Sequence, residues 1–127
     1  MYLADACALI AFFSNREPDR IMPAAAPIMR DRDVGVLAIT VWEIGRKVAV
    51  GKLPRLWEPW PSLTALLSDQ HYVPEAFTWE DAEAVQTLPA HHRDPMDRML
   101  IAAALRADKT VITSDRIFQS YNVRTVW

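Results

Sequence analysis

The 127-residue chain carries a single cysteine, Cys7, so no disulfide can form within it. This agrees with a reducing compartment. With no Cys/His pattern to support a catalytic thiol, Cys7 reads as a small buried hydrophobe on a helix. No apolar run approaches the ~20 residues that span a bilayer; Ala6–Phe13 is among the longest. The opening Met1-Tyr2-Leu3-Ala4-Asp5 lacks the basic start of a secretory signal. A cytoplasmic protein without a membrane segment is expected. Excess positive charge is also missing, since the net charge is −2 and the pI about 5.9. That argues against a general nucleic-acid coat, although an acidic catalytic centre with local phosphate contacts remains compatible with it. Internal repeats, low-complexity tracts and linkers are absent, so residues 1–127 are read as one domain.

What is present is an alternation of short apolar strands with helical segments. Met1–Ala4 is a short strand running into a helix at Ala6–Phe13. Ser14–Asp19, containing Asn15 and Pro18, reads as a loop, and residues 20–31 as a helix blurred by Pro23 and Pro27. Val34–Ile39 is a continuous apolar run, the pattern of a strand buried on both faces. Thr40-Val41-Trp42-Glu43 matches a capping box, which predicts a helix from there to about Val50 with Gly51 as its stop. After the Pro- and Trp-rich connector Pro54–Pro61, a helix is expected from Ser62 to about Ser68 and a short strand at His71–Val73. Thr78–Asp81 starts a further helix ending near Leu88 and Pro89. Asp94-Pro95-Met96-Asp97 is the clearest helix start: an Asp cap, proline at the first position and an acid in the first turn. That helix runs to about Ala107, followed by a strand at Thr110–Thr113, a helical turn opened by Ser114-Asp115, and a last strand within Val123–Trp127. Strands separated by helices predict an α/β domain with a central, mainly parallel sheet flanked by helices on both sides.

In such a sheet the strand C-termini share one edge, where ligands bind. Asp5 follows the first strand, Glu43 lies one turn into the helix after the second, and Asp115 follows Thr110–Thr113. Asp97 sits in the first turn of the helix preceding that strand. All four therefore converge, and crowded carboxylates need a compensating cation. Oxygen ligands suit Mg²⁺ or Mn²⁺, which activate water and stabilise charge in phosphoryl displacement. Local roles are open to each acid as well. Glu43 could close its capping box, Asp97 could act as a first-turn anion, and Asp115 could cap a short helix. Asp5 has no such role and no nearby cation. Asp94 is read as a cap rather than a ligand.

These residues resemble the PIN-domain family, in particular toxins of VapC type. The resemblance is carried by Tyr2-Leu3-Ala4-Asp5 with Ala8-Leu9-Ile10, by Val41-Trp42-Glu43-Ile44-Gly45-Arg46-Lys47 and by Gly51-Lys52-Leu53. Leu88-Pro89, the block from His91 to Ala102 (His-His-Arg-Asp-Pro-Met-Asp-Arg) and Val111-Ile112-Thr113-Ser114-Asp115 complete it. It implies a Mg²⁺- or Mn²⁺-dependent endoribonuclease with Asp5, Glu43, Asp97 and Asp115 as its catalytic, metal-holding quartet. It also implies a cognate VapB-type antitoxin and homodimers that join it in larger complexes. Thr113 and Ser114 match polar residues that orient water or metal. Ala6 stands where the family often has Thr or Ser, and Met96 where an aromatic is usual.

Arg46, Lys47, Arg93, Arg98 and Arg116 flank the acids and are candidates for RNA phosphates, Arg98 foremost, although it could equally pair with an acid. His91 and His92 invite an acid/base role, but no His/Cys set supports them as ligands; loop structure and RNA contact are the alternatives. Trp57, Trp60 and Trp79 are read as core or partner surface before base stacking. Two other classes compete with the nuclease. One is a catalytically silent PIN-like module that only binds antitoxin or RNA. The other is a receiver domain, which would normally need a phosphoacceptor Asp ending a middle strand, where this chain has Ile39-Thr40.

Overall fold

The computed structural model describes residues 1–14 and 16–127; Asn15, assigned above to a loop, lies outside the described residues. Five strands form one sheet: β1 (Tyr2–Ala4), β2 (Val34–Leu37), β3 (Val73–Glu75), β4 (Thr110–Ile112) and β5 (Thr125–Val126). Their order is β3-β2-β1-β4-β5, and every neighbouring pair is parallel. Side chains alternate across the pleat, so consecutive residues feed two separate cores. Ala4, Val36 and Ile112 pack on one face with Leu9, Met29, Ile44 and Leu66. Leu3, Leu37 and Val111 pack on the other with Leu100, Ile101, Phe118 and Tyr121. Helices thus cover both faces, as the alternation of elements requires.

The first layer comprises α1 (Ala6–Ser14), α2 (Pro18–Ile21), α3 (Ala26–Asp31), α4 (Ala38–Ala49) and α5 (Leu63–Asp69). The second holds α7 (Pro95–Arg106), α6 (Trp79–Val85) packed against it, and a 3₁₀ helix at Arg116–Tyr121. Local chemistry sets several ends. The Ser62 hydroxyl accepts from Ala65 N, and a complete capping box joins Thr78 to Asp81. Asp94 caps α7 through Met96 N and Asp97 N. Gly51, at φ +78°, closes α4. Gly51 N donates to Val48 O and Lys52 N to Lys47 O, which folds Lys52 back beside the helix.

Several expectations need correction. No capping box opens α4: the helix starts at Ala38, behind Leu37, which makes no side-chain cap. Thr40 is buried inside the helix and Glu43 lies in its second turn. The apolar run 34–39 therefore contains a strand–helix junction that periodicity cannot reveal. Ser14 ends α1 and Pro18 and Asp19 open α2, so these three are helical rather than loop, and the single helix expected over 20–31 is broken around Met22–Ala25, with Pro27 in the first turn of α3. The third strand lies at Val73–Glu75 rather than 71–73, α6 ends at Val85, and β5 is confined to Thr125–Val126. Cys7 is exposed, not buried, because α1 turns Ala6, Ala8 and Leu9 inward instead.

Candidate active site

Parallel pairing sets Ala4 beside Ile112 at the C-terminal edge of the sheet. The next residue of each strand, Asp5 and Thr113, leaves that edge, and Asp5 N donates to Ile112 O. Asp5 is only 4% exposed. Its Oδ1 accepts from Ala8 N at 2.6 Å, and the Thr113 hydroxyl bonds its carboxylate as well. These contacts hold down the pKa, yet burial overrides them, and with the charges of Glu43 and Asp115 it pushes Asp5 up to about 6. Asp97, on the first turn of α7, is pushed up to about 7. Burial is again the main cause, followed by the charge of Asp94; His92 opposes the shift, and Glu43 and Asp5 add to it. Mutual repulsion of this kind requires the acids to be near neighbours, since charge interactions in a partly solvated site fade within several ångströms.

The tightest part of the cluster contains a residue outside the quartet. His92 Nε2 lies 2.7 Å from Asp115 Oδ2 and 3.2 Å from Asp97 Oδ2. One atom from each of the three residues falls within a 4.8 Å group. Among the described residues Asp5 and Glu43 join no such group; their link to it is electrostatic. His92 Nδ1 accepts from Asp94 N at 3.1 Å, so the hydrogen-bond network assigns the ring proton to Nε2. In that tautomer Nε2 is a donor bridging two carboxylates, and it has no lone pair free for a cation. His92 orients the acids. Asp115 is fixed further through Ile117 N to its Oδ1 at 2.9 Å and its own N–H to Thr113 Oγ1 at 3.0 Å. It thus caps the 3₁₀ helix while presenting Oδ2 to His92.

Glu43 is released from the capping role the sequence suggested. Lys47 Nζ lies 3.2 Å away, one turn along α4. Arg98 needs a different role from the phosphate contact expected of it. Its guanidinium donates to the carbonyls of Val85, Leu88, Pro89 and His92 and to the Tyr121 hydroxyl. Tyr121 in turn donates to Pro89 O and accepts from His92 N. Arg98 and Tyr121 therefore clamp the loop that carries His92, with both terminal guanidinium nitrogens engaged. Arg46, Arg93, Ser114 and Arg116 remain exposed around the acids. Trp57 and Trp60 pack against the core, as expected, while Trp79 is 89% exposed. Cys7 sits on the rim. Although the residue is exposed, desolvation around its sulfur and then the Asp5 charge push the thiol up to about 11, which rules out a thiolate nucleophile at neutral pH.

Nothing in the sequence alone could place His92 between two carboxylates, since its partners lie 5 and 23 residues away and meet it only through the fold. The oxygen-rich donor set, with Asp5 and Asp97 raised toward neutrality and no lysine or arginine bridging those two among the described residues, fits a hard divalent ion.

A family model described as PIN domain matches residues 2–123. Among solved structures, the chain is similar to VapBC2 from Rickettsia felis bound to a DNA fragment from their promoter. That match has 12% identity and a TM-score of 0.70, and covers 98% of this chain and 96% of that one. FitAB bound to the IR36 DNA fragment matches at 19% identity and TM-score 0.67, with 98% and 93% covered. FitAcB from Neisseria gonorrhoeae matches at 20% identity and TM-score 0.68, with 100% and 97% covered. At these identities the likeness is one of fold. Among curated proteins, none matches the sequence significantly.

Proposed function

The chain belongs to the PIN-domain family, and from that premise we propose that it is a Mg²⁺- or Mn²⁺-dependent endoribonuclease, the toxin of a type II toxin–antitoxin pair. The observation that carries the reading is the charge coupling of Asp5 with Glu43 and Asp115 and of Asp97 with Glu43 and Asp5, with Asp5 and Asp97 raised to about 6 and 7 chiefly by burial and further by neighbouring acids. Among the described residues Lys47 pairs only with Glu43; the raised Asp5 and Asp97 keep a repulsion that a bound cation would relieve.

Asp5, Glu43, Asp97 and Asp115 would hold the ion. When bound, it supplies water activation and neutralises charge on the phosphate. Thr113 holds Asp5 and Asp115 in place at once, through its hydroxyl. His92 keeps Asp97 and Asp115 together by bridging one oxygen of each. The carboxylates orient water for in-line attack on phosphorus, and the 3′ oxygen leaves. Arg46 and Ser114, exposed beside the acids, are placed to meet the phosphates of the RNA. The similarity to VapBC2 and FitAB supports a VapB-type antitoxin as partner; the proposal adds homodimers that join it in a larger complex. No helix among the described residues is long and apolar enough to cross a membrane.

The test compares the purified chain with its Asp5→Asn and Asp97→Asn variants in RNA cleavage with Mg²⁺, Mn²⁺ and EDTA. Cleavage should require the metal and fall by at least ~100-fold in each variant. Equal activity under all conditions would reject the mechanism. A folded but uniformly inactive chain would favour a module that only binds antitoxin or RNA.

A further inference from the structure

Beside the acidic centre lies an open cavity of about 370 Å³, lined by Trp42, Glu43, Arg46, Lys47, Lys52 and Met96 among others. Trp42 is 58% exposed, although large aromatic side chains contribute most when buried. The Arg46 guanidinium stands 5.8 Å from the Trp42 ring centroid and leaves much of the indole open. Lys47 is paired with Glu43, but neither Arg46 nor Lys52 pairs with an acid among the described residues. The backbone bonds around Gly51 bring Lys52 to this cavity. A single wall thus joins an acid of the candidate quartet, an open indole and two unpaired cations. Trp79 is more exposed still, but it does not line this cavity.

We propose that this cavity holds a single-stranded segment of RNA next to the cut, with one base stacked on Trp42 and the flanking phosphates on Arg46 and Lys52. The inference rests on the ribonuclease reading and adds Trp42 and Lys52 to its substrate contacts. Stacking on an aromatic ring needs a base whose face is free, which a loop or single strand provides and a duplex does not. Two cations that pair with no acid among the described residues, lining the same cavity as the ring, supply charge for the phosphates that flank a stacked base. A protein partner fits less well, because lysine is depleted at protein–protein interfaces.

The experiment measures fluorescence anisotropy of a labelled, mixed-sequence RNA of about ten nucleotides, single-stranded or annealed to its complement. The full chain carries Asp97→Asn to suppress cleavage. Adding Trp42→Ala is expected to weaken single-strand binding by about 5- to 150-fold, the range of one base–aromatic stack. Trp42→Phe should recover most of it. Lys52→Ala should weaken binding and reduce its salt dependence by about one phosphate contact. In the cleaving chain Trp42→Ala should raise KM while leaving kcat nearly unchanged. Single-strand binding unchanged by Trp42→Ala, or an equal loss for the duplex, would overturn the proposal even if the chain cleaves RNA. Unchanged RNA binding together with lost capture of a co-expressed antitoxin would assign the surface to a protein and overturn it as well. A wild-type chain that neither binds nor cleaves RNA would overturn the ribonuclease reading, and this inference with it.

Discussion

His92 Nε2 donates to Asp115 Oδ2 across 2.7 Å, tying the loop before α7 to the cap of the 3₁₀ helix. The same ring reaches Asp97, and its other nitrogen is held by Asp94 N. Groups that orient metal-holding side chains usually matter by about 10- to 100-fold in affinity or activity. We predict a loss of that size in His92→Ala, with a higher Mg²⁺ concentration at half-maximal activity and an unchanged far-UV circular dichroism spectrum. Wild-type kinetics and metal dependence in His92→Ala would remove the orienting role.

Arg98 is expected to act on stability before substrate. Its loss leaves several loop carbonyls without their donor, and unsatisfied carbonyls cost about 1–3 kcal/mol each where water cannot reach them. Arg98→Ala should lower the unfolding free energy in urea by about 2–3 kcal/mol. Arg98→Lys should not restore it, because an ammonium lacks the planar fork. A stable variant with weaker RNA binding would instead return Arg98 to the phosphates.

The raised carboxylates make the metal-free protein sensitive to pH. Asp5 and Asp97 bind protons more tightly folded, at about 6 and 7, than unfolded, near 3.8. Protons bound by the folded state then exceed those bound by the unfolded one, so stability falls as pH rises from about 4 to about 7. Allowing for the solvent around Asp97, the total is about 2–4 kcal/mol. Without metal, the melting temperature should be lower at about pH 8 than at about pH 5.5, and Asp97→Asn should flatten the slope. Mg²⁺ should stabilise the protein more at the higher pH. Greater metal-free stability at the higher pH would contradict the burial of these acids.

Gly35 lies in β2 where a Cβ would stand 2.9 Å from Leu3 Cδ2, 3.2 Å from Glu75 Oε2 and 3.3 Å from Tyr2 O. Leu3 is fully buried and Glu75 is paired with Lys109, so neither yields freely. Gly35→Ala should cost about 1–3 kcal/mol in chemical denaturation. A neutral substitution would mean that the sheet gives way there.

The sequence was most legible where chemistry is local. Asp94 and Pro95 define the start of α7, Thr78 and Asp81 that of α6, and Gly51 the end of α4, each through contacts within a few residues. Thr40 and Glu43 show the limit of such signals: the same spacing that makes a capping box also occurs inside a helix whose start is set by the end of a buried strand. Cys7 faces outward, against the expectation of burial, because α1 is apolar on nearly every side and the packing of Ala8 and Leu9 sets its rotation. The four acids could be gathered from topology, since each adjoins the C-terminal edge of a parallel sheet. The clamp of Arg98 and Tyr121 and the bridge of His92 could not, because they depend on how an irregular loop folds against a helix.

Manganese binding by isothermal calorimetry on the wild-type and Asp97→Asn chains tests the central claim most directly. The wild-type chain should bind Mn²⁺, releasing protons near neutral pH as Asp5 and Asp97 ionise, and Asp97→Asn should bind at least ~10-fold more weakly. Equal binding by both chains, or none by a folded wild-type chain, would contradict it.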